Sequence, residues 1–188
     1  MRLSLVIDAL REPEAFAVRW GEAEAPVWLY GALAGTAAFG VGTYGAMLHA
    51  WRGGFTSLQY GFGAAIAAGL GWSAAIPSLV VLGGLLGSRL APRTVVMASL
   101  VAVSFGGLAM LASVPVLWFF ELVTGHAAGR CFAMLASAAG VGLCMVDVFT
   151  RCMRALEGFR FFHWLWVGLF GAVSLEMFIL FGLHNINS

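Results

Sequence analysis

From Arg93 to Glu121 the chain reads RTVVMASLVAVSFGGLAMLASVPVLWFFE, and no residue between the two end charges is charged. An α-helix rises about 1.5 Å per residue and a bilayer core is about 30 Å thick, so about 20 such residues cross it. In water a run of this length needs a large polar shell around it. This chain cannot supply one: of 188 residues 61% are hydrophobic and 10% charged, with a mean hydropathy of +0.93. Soluble domains are roughly 45–50% apolar and about 25% charged. The composition excludes a soluble globular domain, a disordered chain and a disulfide scaffold.

Working outward from 93–121, four more apolar segments appear, at about 26–51, 57–88, 131–156 and 160–184. The expected fold is all-α, an integral membrane bundle of five transmembrane helices (26–188) preceded by a cytoplasmic amphipathic N-terminal segment (1–25). The second and third segments are longer than a span needs, so they must tilt, bend or project. Pro77 and Pro115 are the expected bends, since each removes a backbone hydrogen bond. A rival reading ends a helix at Pro77 and makes the piece after it re-entrant. The links Arg52-Gly53-Gly54, Leu90-Ala91-Pro92 and Gly125-His126 are short, which makes successive helices antiparallel neighbours. No internal repeat is evident, so an inverted-repeat transporter is not supported.

Residues 1–25 hold Arg2, Asp8, Arg11, Glu12, Glu14, Arg19, Glu22 and Glu24. Leu3, Val6, Ile7 and Leu10 recur at helical spacing, and Phe16, Ala17 and Trp20 continue beyond Pro13, which suits the first turn of a second short helix. Such a piece lies on the membrane surface or packs on the bundle. Arginine sets the orientation. Counting alternate faces, Arg2, Arg11, Arg19, Arg89, Arg93, Arg151, Arg154 and Arg160 share one side, while Arg52 and Arg130 share the other. That asymmetry puts the N-terminus in the cytoplasm and the C-terminus outside, and it requires an odd number of spans.

Glycine supplies 25 residues, well above ordinary usage. In lipid, helices associate through close backbone approach at small residues rather than through the hydrophobic effect. The expected packing positions are Gly31 with Gly35, Gly63 with Ala67 and Gly71, Gly83 with Gly87, and Ala136 with Gly140 and Cys144. Trp and Phe near segment ends, such as Trp28, Trp51, Trp118 and Trp164, read as interface anchors.

Polar groups within the spans are the candidate site residues. Glu176 sits deep in the last segment, and a carboxylate there is a functional group by default. With no basic residue at its depth it should be protonated. It then binds protons or a ligand, or serves as a neutral hydrogen-bonded acid. Asp147 and Arg151 form an i,i+4 acid–base pair near the inner boundary. Glu121 closes the third span, within reach of Arg130. His49, His126 and His184 fall at the outer ends of spans one, three and five, where convergence on a metal is conceivable though no spacing demands it. Cys131, Cys144 and Cys152 have no metal or haem spacing and read as packing residues. No cofactor is expected beyond lipid contacts.

Net charge is +1, with no run of basic residues, so nucleic acid is excluded as a partner. Nucleophile elbow, HExxH, phosphate loop and paired catalytic carboxylates are all missing, so an enzyme is not expected. Gly40-Val41-Gly42 and Gly61-Phe62-Gly63 lie inside apolar spans and cannot be dinucleotide loops.

The lead-in Leu10-Arg11-Glu12-Pro13-Glu14-Ala15-Phe16 carries a P-x-x-F pattern. Leu85 to Val96 forms a central glycine-and-basic turn, LLGSRLAPRTVV, which leads into a span with the late proline of Ser113-Val114-Pro115. With five spans and a cytoplasmic N-terminus, this arrangement resembles the Yip1 superfamily of small polytopic membrane proteins, departing from it in its glycine content and in Glu176. The resemblance implies a non-enzymatic membrane scaffold or adaptor; no functional residue transfers. The expected function is a non-catalytic scaffold or accessory subunit of a larger complex in a bacterial inner (cytoplasmic) membrane. Its expected partners are lipid and other membrane subunits, in a homo- or hetero-oligomer. The alternatives are a transporter or channel subunit using Glu176, and a subunit of an electron-transfer or other cofactor-holding complex.

Overall fold

The computed structural model describes residues 2–23, 25–50, 53–85, 87–124, 127–157 and Gly168, and no strand occurs among them. The helices are α1 (Arg2–Arg11), α2 (Pro13–Glu22), α3 (Val27–Leu48), α4 (Gly54–Leu85), α5 (Pro92–Thr124) and α6 (Ala127–Glu157). Among the described residues, three stretches are long and apolar enough to cross a membrane: Gly54–Leu85, Pro92–Phe120 and Phe132–Leu156. α3 has 22 residues without a charge, but its glycines, threonines, tyrosines and Trp28 dilute its hydropathy. Of the expected last segment, 160–184, only Gly168 is described, and it is helical.

Several boundaries move. α6 starts at Ala127, four residues before the expected 131. α4 runs from Gly54 to Leu85, and the 57–88 expectation overshoots because Gly87 adopts φ +83°, which ends the helix. There Ser88 N–H donates to Gly83 O and Gly87 N–H to Gly84 O, a glycine C-terminal cap.

Pro77 does not divide its segment; α4 continues through it. Pro115 likewise lies inside α5. A proline takes away one N–H and loosens the turn before it, and serine hydroxyls bind carbonyls beside both sites. Ser78 Oγ donates to Ala74 O (2.9 Å) and Ser113 Oγ to Ala109 O (2.8 Å).

α5 is the central helix. It packs on α3 along one side and on α6 along another, with a lighter contact to α4, which leans mainly on α3. Leu33 meets Ser104 while Ala37 and Gly40 meet Gly107, so α3 and α5 run parallel. Gly42 and Gly45 meet Gly61 and Ala64, so α3 and α4 are antiparallel. Gly106 meets Met145 while Leu117 and Ala133 share one cluster, so α5 and α6 are antiparallel. The starts of α3 and α5 and the end of α6 therefore lie at one end of the bundle. Here α1 and α2 dock, with Ala9, Phe16 and Ala17 buried among residues of α5 and α6 that include Val95, Val148 and Met153. The N-terminal segment is thus packed on the bundle along one face.

Candidate functional site

Two polar clusters and one glycine seam stand out. The first cluster joins α2 to the last turns of α6. Arg151 Nε lies 3.1 Å from Asp147 Oδ2 on its own helix, and its Nη1 lies 3.5 Å from Glu14 Oε1. All three side chains are about half exposed or more, so each ion pair contributes at most about 1 kcal/mol. The firmer tie is beneath them. Cys152, fully buried, donates its thiol to Pro13 O at 3.4 Å. Pro13 opens α2 and has no N–H to lose at that position. Nearby, the Arg19 guanidinium stands 5.8 Å from the Trp20 ring centre, within cation–π range.

At the junction of α1 and α2, Asp8, Arg11, Glu12, Ala15, Phe16 and Arg19 line a hollow of about 230 Å³. Phe16 is buried and forms its apolar wall, while the four charged side chains are exposed. The chain bends here because Glu12 leaves the helical region (φ −134°, ψ 69°) between the two helices.

The second cluster lies at the opposite end, where α3 meets α4. His49 is buried and stacks flat on Tyr60, ring centres 3.8 Å apart, and its Nδ1 is 3.1 Å from Gly45 O. Ser57 Oγ donates to Ala46 O at 2.6 Å. These contacts close the α3–α4 hairpin. Farther along, the Tyr44 hydroxyl is buried among Leu117, Ala133 and their neighbours. Ser137 of α6 faces it without completing a hydrogen bond.

Within the described chain, the tightest glycine contacts fall at positions other than the expected ones. A Cβ added to Gly31, Gly35, Gly63 or Gly140 meets nothing within 4 Å. Gly83 is buried, Gly71 is half-buried, and Gly87 is a turn residue. The close approaches lie elsewhere. A Cβ on Gly40 would run into the Gly107 carbonyl, one on Gly107 would stand 2.6 Å from Ala37 Cα, and one on Gly61 would stand 2.6 Å from Gly42 O. Spacing identifies small residues on one helix; whether a partner backbone lies opposite depends on crossing points that one helix does not encode. The missed signal is pairwise: Gly40-Val41-Gly42 and Gly106-Gly107 put small residues at mid-helix on the two helices that cross there.

Of the other expected site residues, Glu176, His126 and His184 lie outside the described residues, and nothing is described of the Glu121 and Arg130 side chains. Among the described residues no three His, Cys, Asp or Glu gather as a metal site. His49 is engaged with Tyr60 and the Gly45 carbonyl. Sequence reasoning also missed Glu14 as the second partner of Arg151, because the pairing depends on where α2 docks.

Comparison of the chain with family models, with curated proteins and with solved structures finds no match in any of the three.

Proposed function

We propose that the protein is a non-catalytic integral membrane scaffold, an accessory subunit of a larger complex in a bacterial inner membrane. It crosses the bilayer five times: α3, α4, α5, α6 and the apolar segment 160–184 are the spans. The observation that carries the reading is α4. It is 32 residues long, and Phe55, Phe62, Ile66, Leu70, Val81 and Leu85 stand exposed along it. Among the described residues, α3 covers one side of it and α5 touches it lightly. A helix this apolar with so little intramolecular packing suits contact with lipid and with a neighbouring membrane subunit. The arginines support the orientation: Arg11, Arg19, Arg93, Arg151 and Arg154 lie at the bundle end where α1 and α2 dock, the expected cytoplasmic side. The resemblance to the Yip1 superfamily points the same way, towards an adaptor without chemistry of its own.

The test is isolation in mild detergent with reporter tags on both termini. The expected result is opposite compartments for the two tags and a stoichiometric complex with another membrane subunit. Gly63→Trp, on the open side of α4, should release that subunit and leave the melting temperature unchanged. Tags in the same compartment overturn the topology. A monomer that moves solute across liposomes overturns the function in favour of a transporter.

A further inference from the structure

The hollow at the α1–α2 bend has an uncommon charge pattern. Asp8 and Glu12 contribute two negative charges, Arg11 and Arg19 two positive ones, and all four line one space. None of the four is ion-paired with another within 4 Å, whereas Glu14, one turn away, is taken by Arg151. Opposite charges held apart around a common space are arranged for a ligand that carries both signs. The volume, about 230 Å³, is below the ~300–1,000 Å³ of sites for drug-sized molecules. It suits a head group.

We propose that this bend binds the phosphoethanolamine head group of a membrane lipid, with the phosphate against Arg11 and Arg19 and the ammonium against Asp8 and Glu12. Guanidinium forks pair well with phosphate oxygens. A primary ammonium offers three N–H donors to two acceptor-only carboxylates. A choline head group has the same charges but no N–H, so it loses the second set of contacts. A purely anionic head group meets the arginines but also faces two uncompensated carboxylates. Basic clusters without acids recognise anionic lipids; this neutral cluster selects a zwitterion. The half-open mouth and the exposed position of all four charges suit a ligand arriving from the bilayer surface, with its acyl chains left in the membrane.

The inference rests on the proposed reading of the chain as an integral membrane protein, so alkaline extraction of membranes comes first. Release of the chain into the aqueous fraction refutes that reading irrespective of lipid selectivity. The protein is then purified in detergent and offered phosphatidylethanolamine, phosphatidylcholine and phosphatidylglycerol with identical acyl chains, and bound lipid is counted by native mass spectrometry. The expected preference for phosphatidylethanolamine over either of the others is about fivefold, as exposed charge contacts allow. The double variant Asp8→Asn/Glu12→Gln should abolish the preference over phosphatidylcholine while keeping the melting temperature. Ala15→Trp, filling the hollow from its exposed wall, should lower retention of all three lipids. Equal retention of the three, preference for phosphatidylglycerol, or an unchanged preference in both variants overturns the proposal. So does equal competition by water-soluble glycerophosphoethanolamine, which would assign the site to a soluble ligand.

Discussion

α4 and α5 are nearly the same length and both are apolar enough to span a bilayer, yet they live in different surroundings. The most apolar window of α5 is 56% buried inside the protein, that of α4 only 17%. The difference in hydropathy between them, 2.2 against 1.8, is far too small to explain this. What separates them is the fine pattern. α5 carries Gly106 and Gly107 where two other helices cross it, with the buried Ser99 and Ser104 nearby. α4 has such an approach only where it meets α3, at Gly61 against Gly42, while at Gly63, Gly69 and Gly84 a Cβ would meet nothing within 4 Å. Hydropathy chooses the solvent; small residues and single hydroxyls choose the neighbours.

The largest expected contrast follows from the glycines. Gly107→Leu should prevent α3 and α5 from closing, costing about 3 kcal/mol or more, because the atoms in the way are backbone and cannot rotate aside. Gly63→Leu on α4 should leave unfolding within about 0.5 kcal/mol of the parent, as surface changes do. Denaturant unfolding in mixed micelles reads both. Equal destabilisation would mean that the open face of α4 is closed by something within the same chain, and the contrast between the helices would fail.

A smaller contrast tests the packing itself. Met97 is fully buried in α5, and Phe62 is 70% exposed on α4. In lipid, burying an apolar side chain brings little solvent-driven gain, since acyl chains are as apolar as the protein interior. A cavity still forfeits dispersion contacts. Met97→Ala is therefore expected near the lower end of the range seen in soluble cores, about 2 kcal/mol, and Phe62→Ala near zero. If Phe62→Ala costs as much in the isolated protein, the outer face of α4 is packed rather than bathed in lipid.

How much of this was readable beforehand follows the same division. The segment 93–121 announced its helix and its solvent through an unbroken apolar run, and Pro13 announced the start of α2. Asp147 and Arg151 were legible as a pair because one helix positions both. Gly107 against Ala37, Ser104 against Leu33, and Glu14 against Arg151 were not legible, because each joins two elements whose relative placement depends on the assembled bundle. Pro77 leaves a bend or a break open in the sequence, and α4 runs on through it. The docking of α1 and α2 falls between the two kinds: their apolar face is visible in the sequence, but the contact of the buried Cys152 thiol with Pro13 O is not.

Ser104 gives the smallest contrast and the one that most directly separates a neighbour from a solvent. Its hydroxyl lies 2.8 Å from Leu100 O, one turn back in α5, and also 2.8 Å from Leu33 O in α3. Ser73 in α4 makes only the first kind of bond, to Gly69 O at 2.7 Å. Replacing either with Ala removes the bond to its own helix, which slightly relaxes the turn. Only Ser104→Ala also removes a bond between helices, worth about 0.6 kcal/mol on average and up to about 1.7 in membranes. The double difference between the two variants therefore isolates the interhelical term. It should be positive and persist when Leu33 is changed to Ala, because the acceptor is a backbone carbonyl that side-chain truncation leaves in place. A double difference of zero would mean that Ser104 donates its hydroxyl to the Leu100 carbonyl of its own helix, and that this hydroxyl adds nothing to the α3–α5 seam.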